Sequence, residues 1–303
     1  MFSYRHAFHA GNHADVLKHA MLVAILRHLT LKDSALLAVD THAGAGLYRL
    51  DGDYAGTSGE AAEGLLKLAE AVRPGGALPA PAPLLQDYLE VVAGFNKPGQ
   101  WKIYPGSPFI IQHLLRPDAR DRLKLFEMHP TDSKALAANI AQLQAGRQVA
   151  GARSDGFESL KALLPPPSRR GLVLIDPSYE IKSDYAKVSA CLQDSLKRFA
   201  TGTYVVWYPV IPRPEAHELP RRLKTLANHA GKPWLHATLS IGHPEGEVHV
   251  PDERQHGPGL TASGMFVINP PHTLRGLVQQ ALPQLVQVLG KGRGAAQAVE
   301  AGG

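Results

Sequence analysis

The chain has 303 residues, an apolar fraction of 44% and a formal charge of +5 at pH 7, enough for one large α/β domain with an insertion or for two ordinary domains. A single cysteine, Cys191, excludes a disulfide framework or a cysteine-based zinc site, and the longest apolar runs fall short of the ~20 residues that span a bilayer. The opening MFSYRHAFHAGNHAD lacks the apolar core of a signal peptide, so a cytoplasmic soluble protein is expected, basic enough to suit a polyanionic partner.

Asn12 stands where an N-cap belongs. Val16, Leu17, Ala20, Met21, Ala24, Ile25 and Leu29 then recur at helical spacing, predicting an amphipathic helix to about Leu31. The apolar run Ala35–Val39 ends at Asp40 and passes into Thr41-His42-Ala43-Gly44-Ala45-Gly46, the strand and glycine-bearing turn that begin an open parallel sheet. Residues 47–104 read as a helical insertion, with helical patterns over Gly59–Val72 and Leu84–Phe95 around the linker RPGGALPAPAP. Ser107-Pro108 predicts an N-cap and first helical residue. Strands follow at Leu123–Phe126, Gln148–Arg153, Gly171–Ile175, Tyr204–Trp207, Leu235–Ile241 and Met265–Ile268. Helices are predicted at Thr131–Leu143, from Gly156 to Leu164, and at Tyr185–Phe199, Glu215–Ala230 and Thr273–Leu289. Such alternation predicts a doubly wound sheet over residues 1–46 and 105–290. The tail KGRGAAQAVEAGG, residues 291–303, has no periodicity and is expected to be disordered.

Four acids end predicted strands: Asp40, Glu127, Asp155 (just beyond its strand) and Asp176. Ligands of open α/β sheets bind at these carboxyl ends, although Asp and Glu there also cap helices. The Asp40–Gly46 turn is not the dinucleotide fingerprint, and no phosphate cradle is visible. A carboxylate at Glu127 suits the two hydroxyls of a ribose, and Asp155-Gly156 suits an adenine amino edge. Asp176-Pro177-Ser178-Tyr179 is the sharpest feature. The lone pair of an aromatic amine is delocalised into its ring; two acceptors, the Asp176 carboxylate and the Pro177 carbonyl, draw the nitrogen toward tetrahedral geometry. Tyr179 offers a ring on which a flipped base stacks. The alternative is a capping Asp-Pro turn beside a core tyrosine.

The N-terminal cluster Tyr4, Arg5, His6, His9, His13, Asp15, Lys18 and His19 admits a metal site completed by Asp40 and His42, without the spacing of any recognisable metalloenzyme motif. Lys18 reads as a solvated helix charge or as the partner of a carboxylate. Lys161, Arg169, Arg170, Lys182, Lys187, Lys197 and Arg198 form a basic run that suits either a phosphate backbone or an ordinary solvated face.

Taken together, YRHAFHAGNHADVLKH, DTHAGAG, YPGSP, EMHP, SDGF, RRGLVLIDPSYE and TASGMFVINPP resemble the RlmJ-type 23S ribosomal RNA adenine-N6 methyltransferases. The likeness covers the whole chain apart from the linker near Pro79 and the tail. It implies a class I S-adenosylmethionine-dependent methyltransferase: a doubly wound seven-stranded sheet with a small helical insertion, S-adenosylmethionine as methyl donor, no metal, one adenine of 23S rRNA as target, and a monomer. It assigns cofactor contacts to His19, His42, Ser107, Glu127, Asp155, Gly156 and Asp176, the proton acceptor to Asp176, and RNA contact to Tyr4. The family turn reads Asp-Pro-Pro-Tyr; Ser178 departs from it, relaxing the restriction a second proline would impose on the residue before it. Rival readings are a catalytically weakened RNA-binding relative of the same fold, a metal-dependent hydrolase using the histidine cluster, and a methyltransferase acting on protein or DNA.

Overall fold

The computed structural model describes residues 6–51, 59–243 and 260–303; Tyr4 lies outside the described residues. Helix α1 (His13–Leu29) precedes β1 (Leu37–Asp40) and β2 (Leu47–Arg49). A π-helical turn at Ala62–Leu66 runs into α2 (Lys67–Val72), and α3 (Pro83–Ala93) and β3 (Ile103–Pro105) follow. Strand–helix alternation then takes over: α4 (Ser107–Leu114), β4 (Arg122–Phe126), α5 (Pro130–Gln142), β5 (Val149–Ala152), α6 (Gly156–Leu163), β6 (Gly171–Ile175) and α7 (Ser183–Arg198). The chain continues with β7 (Thr203–Pro209), α8 (Pro214–His229), β8 (Trp234–His243), β9 (Ala262–Ile268), α9 (Leu274–Leu289) and β10 (Arg293–Gly302).

The main sheet has eight strands in the order β10-β8-β9-β7-β6-β1-β4-β5. From β5 through β7 the pairing is parallel, and β9 runs antiparallel to both its neighbours. Beginning at β1, the chain winds outward to β4 and β5, then returns to the other side at β6. That reversal is the switch point where the carboxyl ends of the strands leave a crevice.

Seven of these strands make up the expected sheet; the eighth corrects the expectation of a disordered tail. Arg293–Gly302 pairs antiparallel with β8 along its length, from Arg293 opposite His243 to Gly302 opposite Trp234. Backbone hydrogen bonds carry this pairing. The strand's residues are mostly small and exposed on both faces, so no apolar alternation marks it in the sequence.

The structure also revises α1. Every residue from His13 to Leu26 is buried, because the π-helical turn, α3, α4 and α9 pack around it, in one core that joins Leu65, Leu85 and Tyr88 to Met21 and Leu282. A helix covered all round needs no polar face. The inserted segment therefore extends the central core, and the antiparallel ribbon of β2 and β3 closes its ends. On the opposite face, α6, α7 and α8 cover the strands from β6 to β9 through Leu160, Val188, Leu192 and Leu223.

Candidate active site

The loops after β1, β4, β5 and β6 frame a cleft of about 350 Å³ at the switch point. Eight of the residues expected to bind cofactor or substrate line it: His19, His42, Ser107, Glu127, Asp155, Gly156, Asp176 and Pro177. A second cavity of about 240 Å³ lies beside it, lined by Tyr179, Trp207, Pro209 and Arg213. His6, Lys18, Asp176, Ser178 and Glu180 line both. Asp176 thus stands on the wall the two cavities share.

The first turn is built by backbone donors. Glu127 accepts the Gly44 N–H at 2.8 Å with one oxygen and the His129 N–H at 2.7 Å with the other. Burial nevertheless raises its carboxyl above the usual range. Gly44 adopts φ +58°, where a side chain is strained. Asp155 caps α6, accepting the N–H groups of Phe157 and Glu158; capping and lining the cleft coexist. Gly156 is fixed by packing, since a Cβ there would come within 2.2 Å of the Thr41 carbonyl oxygen.

Ser107 does not serve as the expected N-cap. Gly106 takes that position, and the Ser107 hydroxyl instead donates to Asp40 at 2.6 Å. Asp40 is 0% exposed, and burial pushes its carboxyl up to about 7. Burial also drives His42 down to about 4 and His19 down to about 3, so both rings are neutral near pH 7. The His19 Nδ1 lies 2.7 Å from the Tyr104 hydroxyl, while its Nε2 is buried without a hydrogen-bond partner.

Lys18 is the residue the sequence understated. Its ammonium reaches Asp15 at 2.9 Å and Asp176 at 2.6 Å, with its side chain only 6% exposed. Burial works to lower its pKa, yet the two carboxylates outweigh this and hold it above the ordinary lysine range. Asp15 in turn accepts the His6 ring nitrogen and the Gly11 N–H, each at 2.9 Å. Lys18 follows Asp15 by three positions on a helix with no polar face; a charged pair in such a setting is the available signal of burial.

Tyr179 is not an open platform for a base. Its side chain is nearly enclosed, at 1% exposure, its ring lies 4.6 Å from that of Tyr185, and its hydroxyl donates to the Trp207 carbonyl at 2.7 Å. Its backbone takes the left-handed φ of +54°, and Arg213 donates to its carbonyl at 3.0 Å. The tyrosine borders the second cavity while locking the β6 tip to β7.

Two of the histidines weighed as metal ligands have carboxylate partners: His6 pairs with Asp15, and His9 with Glu60, each at 2.9 Å. Among the described residues no three His, Cys, Asp or Glu side chains converge on a point suited to a metal. The basic run is also dispersed. Arg170 turns inward to the carbonyls of Leu29, Lys32 and Ser34, while Lys161, Lys187 and Arg198 each pair with a carboxylate of their own helix. Lys187 alone of the run lines the cleft.

Residues 33–300 match the family model described as "Ribosomal RNA large subunit methyltransferase D, RlmJ". The chain is 43% identical over 285 residues to the ribosomal RNA large subunit methyltransferase J of Escherichia coli (strain K12), an alignment covering 94% of this chain and 93% of that protein. It is 40% identical over 290 residues to the protein of the same name from Haemophilus influenzae, covering 95% and 94% respectively. Among solved structures, a Legionella pneumophila protein superposes with a TM-score of 0.77 at 31% identity, over 97% of this chain and 98% of that one.

Proposed function

This chain belongs to the RlmJ family of ribosomal RNA large subunit methyltransferases, and from that premise we propose that it transfers the methyl group of S-adenosylmethionine to the exocyclic N6 of a specific adenine in 23S rRNA. The observation that carries the reading is the position of Asp176 on the wall shared by two adjoining cavities. One is assigned to the methyl donor, the other to the target base.

The residues of the first cavity fit an adenosyl sulfonium. Glu127 is held by two backbone donors and keeps lone pairs on both oxygens for the ribose hydroxyls. Asp155 and Gly156, which line the same cavity, are assigned to the adenine edge. His19, His42 and Ser107 are assigned to the methionine end, and the buried, unpartnered Nε2 of His19 is a polar atom awaiting a ligand. Bound there, S-adenosylmethionine supplies an electrophilic methyl whose sulfonium departs as a neutral thioether.

The chain's own part is to make a weak nucleophile reactive. Lys18 donates to one oxygen of Asp176, which pins the carboxylate and leaves its other oxygen to accept an N6 hydrogen. The Pro177 carbonyl is assigned the second hydrogen. Gripped in this way, the amine directs its lone pair toward the methyl, and Asp176 offsets the positive charge that develops on nitrogen and accepts the proton released. Trp207 and Pro209 supply the apolar walls of the base cavity. Tyr4, Pro177 and Tyr179 are assigned to the RNA substrate, Tyr179 as an edge of that cavity.

The reading extends to a monomer working in the cytoplasm, where its substrate is made. No helix among the described residues is long and apolar enough to cross a membrane. The test is incubation with methyl-labelled S-adenosylmethionine and unmodified 23S rRNA, followed by nuclease digestion. Label recovered as N6-methyladenosine at one position is expected; label in another nucleoside, or none, would overturn the assignment.

A further inference from the structure

Three buried groups, far apart in sequence, form a chain of contacts ending at the first cavity. The Tyr88 hydroxyl lies 3.1 Å from that of Tyr104, which lies 2.7 Å from the Nδ1 of His19. Tyr88 and Tyr104 are each 0% exposed and His19 is 1% exposed. Both phenols belong to the inserted segment: Tyr88 sits on α3 and Tyr104 on β3. Burial raises both above the ordinary tyrosine range, so both keep their protons.

Either direction leaves one of the three donors without a partner, and the place of that donor fixes the direction of the chain. If Tyr88 donates to Tyr104 and Tyr104 donates to Nδ1, both phenolic protons are used and the neutral imidazole carries its own proton on Nε2. In the reverse direction His19 would donate from Nδ1 to Tyr104, and Tyr104 to Tyr88. The Tyr88 proton would then be enclosed with no acceptor, which is costly in a buried site. The first arrangement instead leaves the Nε2–H of His19, an atom without a hydrogen-bond partner, on a residue beside a cavity where a ligand can accept from it. His19 lines the first cavity, as do Gly106 and Ser107 at the start of α4, the helix that Tyr104 leads into. A hydrogen-bond donor beside the positive end of a helix favours an anionic group.

We propose that Tyr88 and Tyr104 are positioning residues: their one-way relay locks His19 as the Nε2–H tautomer and makes it a dedicated donor to the carboxylate at the amino-acid end of the methyl donor. The inserted segment thereby acquires a role at the active site without touching the ligand. The proposal rests on the assignment of the first cavity to S-adenosylmethionine.

Two measurements test it on the full chain. The first is ¹⁵N NMR of histidine-labelled, ligand-free protein, with the His19 signal identified by its loss in His19→Gln. A protonated Nε2 and a bare Nδ1 are expected; a protonated Nδ1, or a mixture of tautomers, would overturn the relay. The second is calorimetric titration with S-adenosylhomocysteine, which has the carboxylate, and 5′-methylthioadenosine, which lacks it. Tyr104→Phe, which preserves ring volume, should weaken S-adenosylhomocysteine about tenfold, as expected for a hydrogen bond to a charged group, and leave 5′-methylthioadenosine unchanged. Tyr88→Phe should shift the same ligand in the same direction by less. Equal weakening of both ligands by Tyr104→Phe would show a merely structural effect and overturn the proposal, as would no weakening of either. Failure of the unaltered protein to bind either ligand would instead overturn the assignment of the cavity, and the tautomer measurement, made without ligand, separates that failure from failure of the relay.

Discussion

Lys18 and Asp176, 158 positions apart, meet at 2.6 Å and join the middle of α1 to the tip of β6. The contact brings the N-terminal helix into the active site and neutralises a carboxylate in a largely enclosed setting. Removing one member of a buried ion pair leaves the other uncompensated, at a cost of about 3–5 kcal/mol. In Lys18→Met, Asp15 and Asp176 would lose the ammonium they share. We expect a lower melting temperature and a fall in kcat of at least about 100-fold, the scale of a lost electrostatic or acid–base contribution. Turnover within a few-fold of the unaltered protein would show that the contact is incidental.

Ser178 is exposed where both cavities meet, between buried Pro177 and buried Tyr179. A proline at 178 would restrict Pro177 and reduce the freedom of the unfolded chain, which stabilises by about 0.4–1 kcal/mol where the backbone accepts it. Ser178→Pro is expected to raise kcat at saturating S-adenosylmethionine. Steady-state kinetics showing no gain would refute the idea that stiffness of this turn governs the rate.

Gly156 abuts the backbone of the first turn, and an added methyl would approach the Thr41 oxygen to 2.2 Å. Gly156→Ala must therefore push α6 away from the Asp40–Gly46 turn. A weaker affinity for S-adenosylhomocysteine and a lower melting temperature should appear together in calorimetry and thermal unfolding. Unchanged affinity would mean that the turn relaxes without disturbing the cleft.

Acid should destabilise the protein from about pH 6.5 downward, the range in which histidines of the unfolded chain take up protons. Burial holds His13, His42 and His236 down to about 4 and His19 down to about 3, against 6.5 in the unfolded chain. As pH falls below 6.5 the unfolded chain takes up protons that the folded state refuses, so stability declines until about pH 4, where the folded rings begin to accept protons themselves. Asp40 acts oppositely: burial raises it from 3.8 to about 7, so it removes stability as pH rises across that window. Glu127, which burial also raises, acts in the same direction as Asp40; the four histidines outnumber these two acids, and each group contributes at most about 1.4 kcal/mol per pH unit. Unfolding free energy should therefore increase from pH 4 to pH 6.5 in denaturant titrations; a flat or falling profile would contradict the neutral burial of these histidines.

The final strand offers a test of stability apart from chemistry. None of Arg293–Gly302 lines either cavity, yet β10 covers the edge of β8 and Glu300 pairs with Lys224. Ending the chain at Lys291 should lower the melting temperature and promote association through the uncovered edge, while kcat of the remaining folded protein is preserved. Loss of activity in proportionately folded protein would show that the strand supports the site.

Much of the site is legible in the sequence, and what is missing shares one cause. Asp40, Glu127, Asp155 and Asp176 can be found because each ends a short apolar run, a local signal. Partners across the fold leave no such trace: Lys18 meets Asp176 and His19 meets Tyr104 only after the inserted helices close over α1. Ser107-Pro108 has the composition of a helix cap, but the buried Asp40 carboxylate draws the hydroxyl away. Tyr179 suggests a stacking surface by its type, whereas its left-handed backbone and the Trp207 carbonyl turn the ring inward. The β10 strand escapes notice because backbone pairing along a sheet edge requires no apolar alternation.

Asp176→Ala measures the central claim most directly, by comparing single-turnover methylation of 23S rRNA with S-adenosylhomocysteine affinity in the same preparation. Methyl transfer should fall by about 10³-fold or more while affinity for the demethylated product stays within a few-fold. Near-normal transfer by this variant would contradict the account.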